Sequence, residues 1–158
     1  MQLKSILENE DQKVDKEVAN KIGLSLLIPY NLFLKTLENT NDILKIQKKY
    51  NVPLTSIKER AFDINQKILI KRQQNKKLIK EYNKLIDTCL YSLSDSDNRC
   101  AFGFNSLMNN ELNFRIKTKK RLNDAYFELN NVMIEKNYFK TISRNCFEII
   151  NSNEVDLL

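Results

Sequence analysis

The residue type that carries most enzymatic proton transfer is missing: the 158-residue chain has no histidine. A serine or cysteine nucleophile therefore lacks its usual base. The two-imidazole metal motif HExxH cannot be formed either. The two glycines, Gly23 and Gly103, stand eighty residues apart, so no glycine-rich phosphate loop exists. Glu8, Glu10 and Asp11 cluster, but on a charged segment with no apolar pocket to raise a carboxyl pKa. Asp95 and Asp97 are spaced like the start of a calcium loop. Arg99 stands where a third oxygen ligand is wanted, however, and no glycine follows it. Cys89, Cys100 and Cys146 are odd in number and widely spaced, the usage of reduced thiols in a cytoplasm. These observations point away from an enzyme and call for no cofactor and no metal.

Binding chemistry remains, and it concentrates in two basic runs. Between Ile64 and Ile86 there are seven cations and one acid, with Lys71, Arg72, Lys76 and Lys77 in a stretch that holds no apolar residue. Between Phe114 and Leu122 there are five cations and no acid, among them Lys117, Lys119, Lys120 and Arg121. If the two runs lie on antiparallel helices they can present one basic surface, suited to nucleic acid or to an acidic protein face. Lysine-rich helix faces are also often simply solvated, and that reading stays open.

The elements that must position these residues read as helices throughout. Only two glycines and two prolines interrupt the chain. Val14, Val18, Ile22 and Leu26 recur every four residues, on one face of a helix of about four turns. Pro29 ends it. Leu32, Phe33 and Leu37 fit a short second helix, and Asn39–Asp42 is a polar break. Ile43, Ile46 and Tyr50 form the inner face of a third helix, and Asn51–Leu54 is a turn. Ser56 with Glu59 matches a capping box opening a fourth helix through Ile57, Ala61 and Ile64. Helix, short turn, helix is the shape of a helix-turn-helix unit.

Downstream, no breaker occurs between Phe62 and Leu93, so a single long helix is expected there. Ser94–Ser106 reads as the main loop, with Phe102 and Phe104 as anchoring aromatics around Gly103. Helices are expected at about Asn109–Lys136 and Phe139–Asn151, followed by a frayed tail. There is no apolar run long enough for a membrane span and no apolar leader of the signal-peptide type.

One segment carries a family resemblance. Ala19-Asn20-Lys21-Ile22-Gly23-Leu24-Ser25-Leu26-Leu27-Ile28-Pro29 resembles the ANxFAxxLLxP signature of ImmA/IrrE-type metallopeptidases. Val52–Ala61 is similar to the helix-turn-helix piece that follows in that family, with Pro53 where serine is usual. The resemblance covers about fifty residues, a third of the chain. It implies a local fold and an association with repressors of mobile elements. It does not imply the family's activity: the HExxH is absent, and Lys16 occupies the position of the family's third zinc ligand, with Glu17 one residue out of register.

The expectation is therefore an all-α, multi-helix bundle with a helix-turn-helix-like N-terminal module (1–64) and a bundle with long basic helices (65–158), packed together as one domain. The expected function is a non-enzymatic, cytoplasmic regulatory or interaction protein of a phage or mobile element, binding a protein partner. One alternative is a DNA-binding regulator, with Thr55, Ser56 and Lys58 facing the groove and Lys48 and Lys49 on phosphates. Another is an inhibitor of a nucleic-acid-handling or defence enzyme that uses the basic surface. The sequence does not fix the oligomeric state.

Overall fold

Pro29 and Pro53 punctuate the first third of the chain, and beyond them nothing breaks the helices. The computed structural model describes the backbone of residues 2–101 and 108–156, and the side chains of residues 13–100 and 109–156. Among these residues there are five helices and no strand: α1 (Gln2–Leu27), α2 (Tyr30–Asn39), α3 (Ile43–Tyr50), α4 (Leu54–Ala101) and α5 (Met108–Ile150). The chain is all-α, as its periodicity predicts. It divides into two compact units, Met1–Leu69 with Thr141–Leu158, and Ile70–Lys140.

The first unit is built on local stop and start signals. Pro29 in extended conformation precedes α2 and accepts from the Phe33 amide at 2.9 Å. The Asp42 carboxylate caps α3, accepting from the amides of Leu44 (3.1 Å) and Lys45 (3.4 Å). Such a cap stabilises a helix by about 1 kcal/mol. Asn51 closes α3 in the left-handed region (φ 52°), which asparagine tolerates better than most residues. Ile28, Phe33, Leu37, Ile46, Ile57, Ile64 and Ile68 are fully buried, together with Ile142, Cys146 and Ile149 from the end of α5. Burial pushes the Cys146 thiol up to about 12, so it packs as a neutral core residue.

The C-terminal stretch joins this unit through polar contacts of long sequence separation. Asn145 Nδ2 donates to the Leu37 carbonyl at 2.6 Å, Ser143 Oγ donates to Asn65 Oδ1 at 2.8 Å, and Asn41 bonds Glu148. The tail is engaged where fraying was expected. The Asp156 carboxylate accepts from Gln47 Nε2 (2.8 Å) and from the Leu54 amide (3.1 Å). It therefore occupies the N-terminal end of α4, where unpaired amides favour an anion. The capping-box expectation is corrected accordingly. α4 opens at Leu54, Pro53 O receives the amides of Ser56 and Ile57, and Ser56 lies inside the first turn.

The second unit is a helical hairpin of α4 and α5. One row of buried and half-buried positions on α4 runs Arg72, Asn75, Ile79, Tyr82, Ile86, Cys89, Leu93, Ser96, and one on α5 runs Glu111, Arg115, Thr118, Leu122, Ala125, Leu129, Val132, Lys136, Phe139. The spacing alternates three and four residues on both helices, the signature of a coiled-coil seam. Seven-residue periodicity continues through polar residues, so the stretch 71–77, although it holds no apolar side chain, still enters the seam: Asn75 is only 3% exposed. Its Nδ2 has no hydrogen-bond partner. An unpaired buried polar group costs about 1–3 kcal/mol, so Asn75→Leu is expected to raise the thermal midpoint of the hairpin by several degrees. A lower midpoint by circular dichroism would show that the amide does find a partner in solution.

Two further corrections concern the helix ends. The expected loop from Ser94 is helical to Ala101, and its remainder, with Phe102 and Phe104, lies outside the described residues. The helix persists because Ser96 is fully buried and bonds Glu111 at 2.7 Å, while Arg99 pairs with both Asp95 and Glu111. Asp97 pairs with Arg115 at 2.5 Å, so the two acids that suggested a calcium loop neutralise arginines. Hydrogen bonding to Arg99 holds the Glu111 carboxyl below its ordinary range. That contribution is present above the ordinary carboxylate pKa and is lost as pH falls through the folded value. Finally, the two helices expected after residue 109 are one, because Asn137 alone is too weak a breaker to split α5.

Candidate interaction site

The apolar stripe of α1 is in water. Val14, Val18, Ile22 and Leu26 are 50–76% exposed, although an amphipathic helix ordinarily turns such a face to the core. The packing contact comes from Leu24 and Ile28, which successive 100° steps place on a different side of the helix. Arg60, buried at 4% exposure on α4, fixes this orientation by donating Nε to the Ile28 carbonyl at 2.9 Å. Around Gly23 there is open space on the Cβ side.

Beside the stripe lies a cleft of about 510 Å³. Glu17, Asn20, Lys21 and Leu24 line it from α1, Lys58, Glu59, Phe62 and Asp63 from α4, and Ile150 from α5. Both helices contribute residues three and four apart, so each presents one face to the gap. The floor is apolar (Leu24, Phe62, Ile150), and the rim carries three carboxylates and two ammonium groups. Lys58 is already engaged, donating Nζ to the Ser152 carbonyl at 2.7 Å. An apolar cleft with a few convergent polar groups is the form of a ligand or peptide site.

Where a helix-turn-helix unit was expected, the structure has α3, three residues outside any helix (51–53) and the start of α4. Of its candidate DNA contacts, Thr55 and Lys48 are exposed and Ser56 is half-buried. Lys58 is held by Ser152, and Lys49 donates to Thr36 Oγ1 at 2.9 Å. With Asp156 on the Leu54 amide, the end of α4 that a groove would receive is covered by the chain's own C-terminal segment.

The basic residues fall in the hairpin. Lys71, Lys76, Lys77, Lys117, Lys119, Lys120 and Arg121 are exposed, and Arg72 is half-buried in the seam. Contacts of Glu111 with Ser96 and Arg99, and of Arg115 with Asp97, set the register. It places Lys71–Lys77 opposite the 131–140 stretch and Lys117–Arg121 opposite the 87–94 stretch. At 1.5 Å per residue the two runs are centred roughly 24 Å apart, so they form two patches along the hairpin. Residues 70–140 hold fourteen cations and eight acids, while the first unit holds twelve of each. All the net charge of the chain, +6, is therefore in the hairpin.

No family model matches the chain, and neither a curated protein nor a solved structure does. Among the described residues no group of three or more Cys, Asp or Glu side chains could hold a metal ion. No helix among them is long and apolar enough to cross a membrane. Sequence reasoning missed the cleft. Its one signal was Phe62, a large aromatic out of step with the buried stripe Ile57, Ala61, Ile64 and Ile68.

Proposed function

We propose that the chain is a non-enzymatic interaction protein that binds a protein partner through α1, by laying an apolar helix face into a partner's groove. The observation that carries this reading is the exposed row Val14, Val18, Ile22 and Leu26. Full burial of such side chains is worth about 1.5–3 kcal/mol each, and half of that remains to be gained here. The adjoining cleft extends the surface with Phe62 and Ile150. The lack of histidine supports a role without hydrolytic chemistry. The resemblance to ImmA/IrrE proteins supports a regulatory role on a phage or other mobile element.

Val18→Asp with Ile22→Asp tests this. Both side chains already face water, so stability is expected to change by no more than the ~0.5 kcal/mol typical of surface changes. Capture of a protein from a nuclease-treated bacterial lysate is expected to be lost. Undiminished capture by the double variant would remove α1 from the function. Binding lost on nuclease treatment of the parent would favour the DNA-binding alternative instead, which requires the Asp156 and Ser152 contacts on α4 to open.

A further inference from the structure

The hairpin carries large apolar side chains that its two-helix seam does not use. With Arg72 and Arg115 taken as heptad position a, the seam occupies a and d on both helices. Position e lies just outside the seam, and in an antiparallel pair the e rows of both helices border the same groove. In α5 this row reads Leu112, Lys119, Tyr126, Met133, Lys140. In α4 it reads Lys76, Asn83, Leu90, Asp97. Leu90, Leu112, Tyr126 and Met133 are all exposed. The three on α5 are separated by multiples of seven, so they fall on one line along the helix. The sole acid of the row, Asp97, is consumed by Arg115, and the three lysines are exposed.

We propose that this groove is a docking site for an acidic amphipathic helix of a partner protein, which completes a three-helix coiled coil. Charge complementarity selects the occupant. The groove presents apolar side chains between ammonium groups, on a hairpin that holds the whole net charge of the chain. A helix with leucine-type residues at 3.5-residue spacing and Glu or Asp beside them satisfies both features. A second copy of the chain would bring Lys76, Lys119 and Lys140 against themselves. A nucleic acid would leave Leu90, Leu112, Tyr126 and Met133 without apolar contact. The hairpin site is separate from the α1 face and does not depend on it.

The probe is a fluorescent synthetic peptide of about four heptads with Leu at a and d and Glu at e and g. Fluorescence anisotropy against the full chain at low salt gives the affinity, and circular dichroism gives the helix gained. Binding of this peptide is expected, with none for the same peptide carrying Lys in place of Glu. Tyr126→Ala with Met133→Ala is expected to weaken binding at least about tenfold, as expected for interface anchors. Lys76→Glu with Lys119→Glu is expected to do the same. Lys77→Glu with Lys120→Glu carries an equal charge change one position off the row, and is expected to change affinity less than about threefold. Unfolding midpoints of all variants are compared with the parent to separate lost folding from lost binding. The proposal is overturned if the Glu peptide does not bind, or if both lysine pairs weaken it equally. It is equally overturned if duplex DNA binds with unchanged affinity after Tyr126→Ala and Met133→Ala while the peptide does not bind. A dimer in sedimentation that those two substitutions dissolve would assign the groove to a second copy.

Discussion

Replacing Phe33 with alanine is expected to remove about 3–5 kcal/mol from the stability of the first unit, the cost typical of deleting a buried aromatic. Phe33 is fully buried and sits at the start of α2, where its amide binds Pro29 O. Its ring meets Tyr50 edge-on with centroids 5.8 Å apart. The Tyr50 hydroxyl in turn lies 2.9 Å from Thr36 Oγ1. One side chain thus braces α2 against the end of α3. Natural domains are stable by only about 5–15 kcal/mol, so the variant should be near unfolding at room temperature. Urea denaturation followed at 222 nm measures it, and a loss below about 1 kcal/mol would mean that the core there collapses without penalty.

Arg60→Ala is expected to cost about 3 kcal/mol. Truncation opens a void at a buried position and leaves the Ile28 carbonyl, at the end of α1, without its donor. Arg60→Met keeps most of the volume and should recover about half of that loss. The effect reaches the proposed site, because this hydrogen bond sets which side of α1 faces α4. In Arg60→Ala, α1 amides 13–27 should exchange faster with deuterium than those of the parent, while the amides of 79–96 keep their protection. Unchanged exchange in α1 would show that Leu24 and Ile28 hold the helix by packing alone.

The all-helical class was legible in the sequence, because scarcity of Gly and Pro and helical spacing act locally. Ends defined by local chemistry were legible too, such as Pro29 and the Asp42 cap. What remained hidden depends on partners distant in the chain. Ser56 and Glu59 satisfy a capping pattern, but Asp156, 102 residues away, takes the amide of Leu54 instead. Ser94–Ala101 has the composition of a loop, yet the bonds of Ser96 and Arg99 to Glu111 keep it helical. The stripe on α1 was read correctly as a face, but periodicity says only that a face exists and not what it meets. The seven-residue seam was obscured because polar residues fill positions 72, 75, 96, 111, 115, 118 and 136. The basic residues were found by counting, whereas their separation into two patches follows from the hairpin register, which no local pattern encodes.

The division of the chain also fixes an order of events during synthesis. The hairpin is continuous in sequence, so its seam can close as soon as residue 140 has cleared the ribosome, with little entropy lost to loop closure. The first unit is made from both ends of the chain, and Asn145, Ser143 and Asp156 find their partners across 108, 78 and 102 residues. The core that holds Ile57, Ile64 and Ile68 is therefore complete only when Ile142, Cys146 and Ile149 arrive. Throughout that interval the nascent chain consists of a finished basic hairpin and an unfinished apolar half. A stop codon that removes only residues 141–158 would leave it permanently in that state, open to aggregation and proteolysis.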